Sequence, residues 1–375
     1  MKVIILAAGK GSRMGPITDS TPKPMLMFGN LPIIVRLIRQ ISCFTRDINV
    51  VVGYKKTLII KAIVSSFNFK INFVSNEEYD NDINILSLYK GIDQKNIKNG
   101  FYIFEADCVY SDDAINKIFS NDIESKSSWF SLGSFNELQN GGIIRSCKSH
   151  VNDIKIVSKY TQSYKGYNKL IGILKVGPKE ALRYYEALKS SIKKTTKQYY
   201  LQPWIDNLSN LPCIETKLKN YVTGAFNTIE DYQNCMSYFK QQNELYLYYN
   251  IELLPVKSLT HIEGFSIKRE KWLRKKILNE GRWSVPLKVD SEYKLVMDGQ
   301  HRMEVAKNLD LKFVPCIVYK YLDVKVWSLR KEYEVTQSEI INNYKKNYIY
   351  PYKTAKHKFP HGENIVINYK LEELK

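Results

Sequence analysis

The chain has 375 residues, 44% of them hydrophobic, so two domains are expected and a disordered chain is excluded. Lys and Arg number 56 against 38 Asp and Glu, a net charge of +18 spread over both halves. Diffuse positive charge argues against nucleic acid, whose binders gather it on one face, and suits small anionic substrates such as nucleotides.

Residues 2–8 (KVIILAA) predict a buried strand running into a Gly-rich loop. A helix is expected over 31–42, a strand over 48–53, a helix over 57–66, a strand over 70–75 and a helix over 83–91. FYIFEADCVY, residues 101–110, reads as a buried strand ending in acidic residues. Strands at 128–133 and 170–176 and helices at 178–190 and 229–241 follow. The alternation predicts an α/β, Rossmann-like first domain with a mixed, mostly parallel sheet, whose ligands sit at the carboxyl ends of the strands. The pattern then changes, giving domains of 1–242 and 243–375. In the second, a helix over 266–280 stops at Gly281, strands at 284–289 and 293–297 flank a turn, a helix runs 300–309 and a strand 313–320. This smaller domain reads as α+β, with an irregular tail beyond 345. No apolar run approaches the roughly 20 residues that span a membrane, so no membrane partner is expected. Six scattered cysteines without a CxxC pair point to reduced thiols in a cytoplasmic protein rather than a zinc site.

The first group of residues with chemistry in it is Leu6-Ala7-Ala8-Gly9-Lys10-Gly11-Ser12-Arg13, followed by Thr21-Pro22-Lys23-Pro24. Small residues let the backbone N–H groups approach a triphosphate. Arg13 and Lys23 can neutralise charge that builds as pyrophosphate leaves, with the prolines fixing the segment around Lys23. Asp107, at a strand end, can hold Mg²⁺.

This pattern resembles the signature of the sugar-phosphate nucleotidyltransferases over roughly residues 1–240. Within that family, Asn76-Glu77-Glu78-Tyr79 and Asn84 to Ser87 resemble the cytidylyltransferases that act on phosphocholine and related phosphorylated amines. The resemblance implies CTP as substrate, with Asn84 and Ser87 near the nucleotide, Arg13 and Lys23 on the phosphates and Asp107 on the metal. The family's second metal-binding Asp is replaced here by Asn227, which can offer only a neutral carbonyl.

The second group is Asp298-Gly299-Gln300-His301-Arg302, at a predicted helix N-terminus where backbone donors and the guanidinium favour anions. Asp298 can add Mg²⁺. A plain capped helix with Asp298 as the cap is the other reading. Glu263 lies upstream as a candidate base, and Lys353-Thr354-Ala355-Lys356-His357 downstream as an anion-binding run. Together these resemble the ParB-related free serine kinases over roughly 250–360, with Gln300 in place of the first His of their DGHHR-type motif. The resemblance implies Glu263 as general base. It implies Asp298, Gly299, His301 and Arg302 on the phosphates and metal of an ATP or ADP donor. Thr354, Lys356 and His357 would hold the substrate or the transferred phosphate.

The combined expectation is a bifunctional enzyme. It phosphorylates L-serine or a similar small amino alcohol, then joins CMP from CTP to the product. The alternative is a cytidylyltransferase with a catalytically inactive, nucleotide-binding regulatory second domain. The partners expected are small molecules (CTP and a serine- or phosphoserine-like amine), and a homo-oligomer is left open.

Overall fold

A computed structural model of the chain describes residues 1–120, 125–247, 249–361 and 365–375. It divides into two units, Met1–Ile41 with Thr45–Leu247, and Ser42–Phe44 with Tyr248–Lys375.

In the first unit, Lys2–Ala7 (β1) is apolar throughout after Lys2, and Val3, Ile4 and Ile5 have no exposed surface. A strand apolar on both faces needs cover on both sides, which parallel sheets with flanking helices provide. Helices Ile33–Ile41 (α1), Lys56–Ser66 (α2) and Ile85–Gly91 (α3) connect β1 to Ile48–Val52 (β2), Asn72–Ser75 (β3) and Phe101–Glu105 (β4). Ile85 and Leu88 of α3 pack in one core cluster with Ile4, Leu6 and Val51. The sheet continues through Ser128–Ser134 (β5), Gly141–Cys147 (β6), His150–Val157 (β7), Asn168–Val176 (β8) and Ile214–Lys217 (β9), in the order β3-β2-β1-β4-β8-β5-β9-β7-β6.

The first four strands in that order are parallel, as is β5 with β9, but β4–β8, β8–β5, β9–β7, β7–β6 and β8–β6 are antiparallel. The expected mostly parallel sheet is therefore corrected to an evenly mixed one. The reason lies in the β6–β7 hairpin, where Cys147 pairs with His150 across a two-residue turn, a link that only antiparallel strands can make. Lys148 and Ser149 at its tip both hold positive φ, 47° and 67°. None of the six cysteines is in a disulfide; five are buried and Cys147, beside that tip, is exposed. Helices Pro178–Lys194 (α4) and Ile229–Gln241 (α5) complete the unit, α5 starting in a capping box between Thr228 and Asp231.

In the second unit, Ile251–Pro255 (β10), Thr260–His261 (β11), Leu287–Asp290 (β12), Leu295–Asp298 (β13) and Phe313–Tyr319 (β14) form a mixed sheet, order β10-β14-β12-β13-β11. Helix Ile267–Glu280 (α6) is capped by Ser266, whose Oγ accepts from the Arg269 N–H, and Gly281 ends it with φ 63°. Helix Gln300–Asn308 (α7) leaves the end of β13 through Gly299. The tail expected to be irregular contains Ala355–Lys358 (β16), paired antiparallel with Lys325–Ser328 (β15); residues 362–364 of it lie outside those described. Among the described residues, no helix is long and apolar enough to cross a membrane.

Candidate functional site

The carboxyl ends of β1 and β4 open into a cavity of about 520 Å³ in the first unit. Its wall contains all twelve first-unit residues picked from the sequence: Leu6, Ala7, Ala8, Gly9, Gly11, Ser12, Arg13, Lys23, Asn84, Ser87, Asp107 and Asn227. Gly11 turns the loop with φ 69°, and a Cβ there would stand 3.2 Å from the Cβ of Lys23. A side chain at position 11 would thus strain the backbone and press on the lysine.

Lys23 is buried, and its Nζ donates to Asp107 Oδ2 at 2.7 Å while lying 5.1 Å from the centroid of the Phe226 ring. Arg13 is exposed and makes no hydrogen bond or ion pair with any described residue. Asn84 is tied on both sides, Oδ1 accepting from the Tyr200 N–H at 2.9 Å and Nδ2 standing 3.5 Å from Glu105 Oε1. The hydroxyl of Ser87 donates to Asp82 Oδ2 at 2.7 Å and accepts from Asn76 Nδ2 at 2.9 Å. Its polar atom is therefore spent on holding Asp82. The backbone N–H of Asn227 donates to Asp231, leaving its side chain to the cavity wall.

Two charged wall residues that flank Asp107 carry no site assignment from the sequence, Glu105 and Lys169. Glu105, at the end of β4, has its carboxyl pushed up to about 7 by burial and by the charge of Asp107. Its position two residues before Asp107 was the available signal, since alternate strand residues share a face. Lys169, on β8, has its ammonium lowered by burial. Nothing local in the sequence marks it.

One oxygen each from Glu105 and Asp107 and the sulfur of Cys108 lie within 4.8 Å of one another. Burial pushes the Cys108 thiol well above its ordinary range, so it stays neutral. A neutral thiol is a poor partner for a hard cation, whereas the two carboxylates suit Mg²⁺.

In the second unit, Asp298 is exposed and pairs with Arg302, Nη2 to Oδ2 at 3.0 Å, while Arg302 Nη1 donates to the Pro286 carbonyl. Gly299 has φ 107°, and a Cβ there would fall 2.4 Å from Leu287 Cδ2. His301 Nε2 accepts from the Ser266 N–H at 3.0 Å, and burial lowers its imidazole. Its ring meets Tyr352 edge-on at 5.3 Å.

Glu263 Oε2 accepts from the backbone N–H groups of Thr354 at 2.8 Å and Ala355 at 2.9 Å. The candidate base is thus a clasp on the downstream run as well. Thr354 is fully buried with its hydroxyl donated to Pro351 O, and His357 Nε2 meets the Tyr321 hydroxyl at 3.0 Å. Lys356 alone of that trio is exposed. The fold therefore joins Glu263 to Thr354 and His301 to Tyr352, but it commits the polar atoms of Thr354 and one ring nitrogen of His357 to protein partners.

Residues 3–130, within the first unit, match the family model described as the MobA-like NTP transferase domain. The chain is 29% identical over 208 residues to the bifunctional protein GlmU of Methanococcus aeolicus, 52% of this chain and 47% of that protein. It is 36% identical over 113 residues to the 2-aminoethylphosphonate cytidylyltransferase of Lancefieldella rimae, 30% of this chain and 45% of that one. The chain thus spans less than half the length of these curated relatives. Among solved structures, the CTP:phosphocholine cytidylyltransferase of Streptococcus pneumoniae superposes with a TM-score of 0.53 at 23% identity, over 63% of this chain and 97% of that one. The inositol-1-phosphate CTP transferase of T. maritima gives 0.50 at 16% identity, over 64% and 96%. At these identities the likeness is one of fold, a mixed α/β nucleotidyltransferase-like first unit.

Proposed function

We propose that the first unit transfers CMP from CTP to a small phosphorylated amine, and that the second unit makes that phosphomonoester by phosphorylating L-serine or a similar amino alcohol. The observation that supports the first step is the single cavity lined by the Gly loop, Arg13, Lys23, Asn84, Asp107 and Asn227. An oxygen of the acceptor phosphate attacks the α-phosphorus of CTP. The new P–O bond forms as the bond to the β-phosphate breaks, and pyrophosphate leaves with the electron pair. Lys23, held in place by burial and by Asp107, and Arg13, free to swing, neutralise the charge that develops on the leaving group. Mg²⁺ bound at the Glu105 and Asp107 carboxylates would screen the triphosphate, with the Asn227 carbonyl as a neutral neighbour.

For the second unit, the reading is a kinase of the ParB-related free serine kinase type, using ATP or ADP. Arg302 and the start of α7 would take the donor phosphates, Asp298 the metal, and Glu263 the hydroxyl proton. Lys356, exposed at the surface, would meet the transferred phosphate. The clasp of Glu263 on two backbone N–H groups favours a second reading, in which this unit binds nucleotide and regulates without turning over.

The test is ³¹P NMR of the chain with CTP, Mg²⁺ and O-phospho-L-serine, O-phosphoethanolamine or phosphocholine. A new diphosphodiester pair with free pyrophosphate supports the transferase and names its acceptor. Unchanged spectra with all three would refute the acceptor class. A repeat from serine with ATP or ADP then separates the kinase from the regulatory reading, because only a kinase produces phosphoserine.

A further inference from the structure

Lys169 lines the first-unit cavity, and the chemistry proposed for the nucleotide half leaves it without a task. Its Nζ donates to the Leu170 carbonyl at 2.7 Å and stands 3.4 Å from that of Gly142. Among the described residues, no carboxylate lies within 4.0 Å of it. Glu105 is the carboxylate whose charge it feels most, yet the two do not form an ion pair. An ammonium has three donors, and one drawn out of water without an anion is an expensive arrangement unless a ligand supplies the missing charge.

Its position in the sheet says which ligand. The strands β1, β4 and β8 are successive neighbours. The triphosphate loop leaves β1, and Asp107 follows β4. β8 runs antiparallel to β4 with Ile173 opposite Phe104, so Lys169, four residues back, stands level with the turn that holds Asp107. It is therefore one strand beyond Asp107 on the side away from the Gly loop, the part of the cavity that a triphosphate on that loop would leave for the acceptor. Trp129 and Tyr200, stacked with ring centroids 6.0 Å apart, line the same side. One strand spacing is roughly 4.8 Å. The phosphorus and the carboxylate carbon of an O-phospho-α-amino acid are separated by roughly 4–5 Å at ordinary bond lengths.

We propose that Lys169 binds the carboxylate of the acceptor, which makes an O-phospho amino acid, rather than an amino-alcohol phosphate, the preferred substrate class. The inference rests on reading the first unit as a cytidylyltransferase.

O-Phospho-L-serine and O-phosphoethanolamine differ only in that carboxylate, so their kcat/KM ratio reads the contact directly. The wild-type chain is expected to favour phosphoserine. K169M should lower the ratio roughly 10- to 100-fold, chiefly through KM, as expected for losing one charge-assisted contact. K169R should keep most of the preference, and retained CTP binding by calorimetry would show that K169M is folded. Equal loss on both acceptors would mean that Lys169 serves the phosphate, and would overturn the inference. A wild-type chain that uses phosphoethanolamine and ignores phosphoserine would overturn it too, leaving the transferase reading intact. Transfer to phosphocholine alone would overturn the inference and spare that reading, whereas transfer to none of the three acceptors would take the acceptor class and the inference together.

Discussion

Lowering the pH from 8 to 5 should weaken the second unit, and His357 makes a separable contribution. Burial, reinforced by the charge of Lys356 and opposed by Asp298, holds its imidazole down to about 4, against 6.5 for the free group. Between those two values the unfolded chain binds a proton that the folded chain refuses. The stabilisation is therefore complete above 6.5 and lost as the pH falls toward 4. At pH 5 the unfolded imidazole is nearly all protonated and the folded one about a tenth so, a cost of about 2 kcal/mol relative to pH 8. The assay is urea unfolding of the full chain at both pH values, for the wild type and for His357→Gln, which cannot titrate but can still accept from the Tyr321 hydroxyl. The wild type should lose about 2 kcal/mol more than the variant in the transition of the second unit. Equal losses, or a His357 ring that titrates near 6.5 by NMR, would refute the argument.

Lys23→Ala should cut pyrophosphate release by about 10²-fold or more while sparing phosphorylation of serine, measured by parallel pyrophosphate and phosphoserine assays. Equal loss of both would point to a damaged fold or coupled sites. Asn227→Asp should lower the Mg²⁺ concentration needed for half-maximal CMP transfer, because it adds a charged oxygen to the cavity that holds Asp107; an unchanged Mg²⁺ titration would remove Asn227 from the metal site. Glu263→Ala should cost about 2 kcal/mol in chemical denaturation, since it leaves the N–H groups of Thr354 and Ala355 without their acceptor. If Glu263→Gln restores stability but not phosphoserine formation, the carboxylate acts as a base and not only as a clasp.

The first half of the first unit was legible because its central strands are largely apolar. Val3 to Ala7 is apolar throughout and Ile48 to Val52 is broken only by Asn49, which suits strands covered on both faces in a parallel sheet, with the Gly loop at the carboxyl end of the first. The hairpin of β6 and β7 was not legible. Its turn is Lys148-Ser149, two residues that seldom hold positive φ, so the usual Asn-Gly or Asp-Gly signal is missing. Its strands also carry Arg145, Asp153 and Lys155, which blur the alternation. β16 was hidden for a similar reason: Ala-Lys-His-Lys pairs with β15 although three of its four side chains are polar. The Gly-loop half of the site followed from spacing, whereas Lys169 reaches it only through the antiparallel pairing of β8 with β4, which sets Ile173 opposite Phe104. Glu263 shows the converse limit. Its chemistry was visible in the sequence, but its two backbone partners, about 90 residues away, were not.

The hairpin of β6 and β7 also offers a practical handle. Gly141, Gly142 and Ile156 at its base belong to the cavity wall, whereas Cys147 sits at the opposite end. Five residues of strand from Gly142 to Cys147 span about 16 Å. With the other five thiols buried, a maleimide dye should attach to Cys147 without any engineered cysteine. Such a probe would ride on a hairpin whose base forms part of the cavity wall while standing clear of Lys23 and Asp107, so its fluorescence could follow ligands entering the cavity in a chain whose cavity residues are untouched.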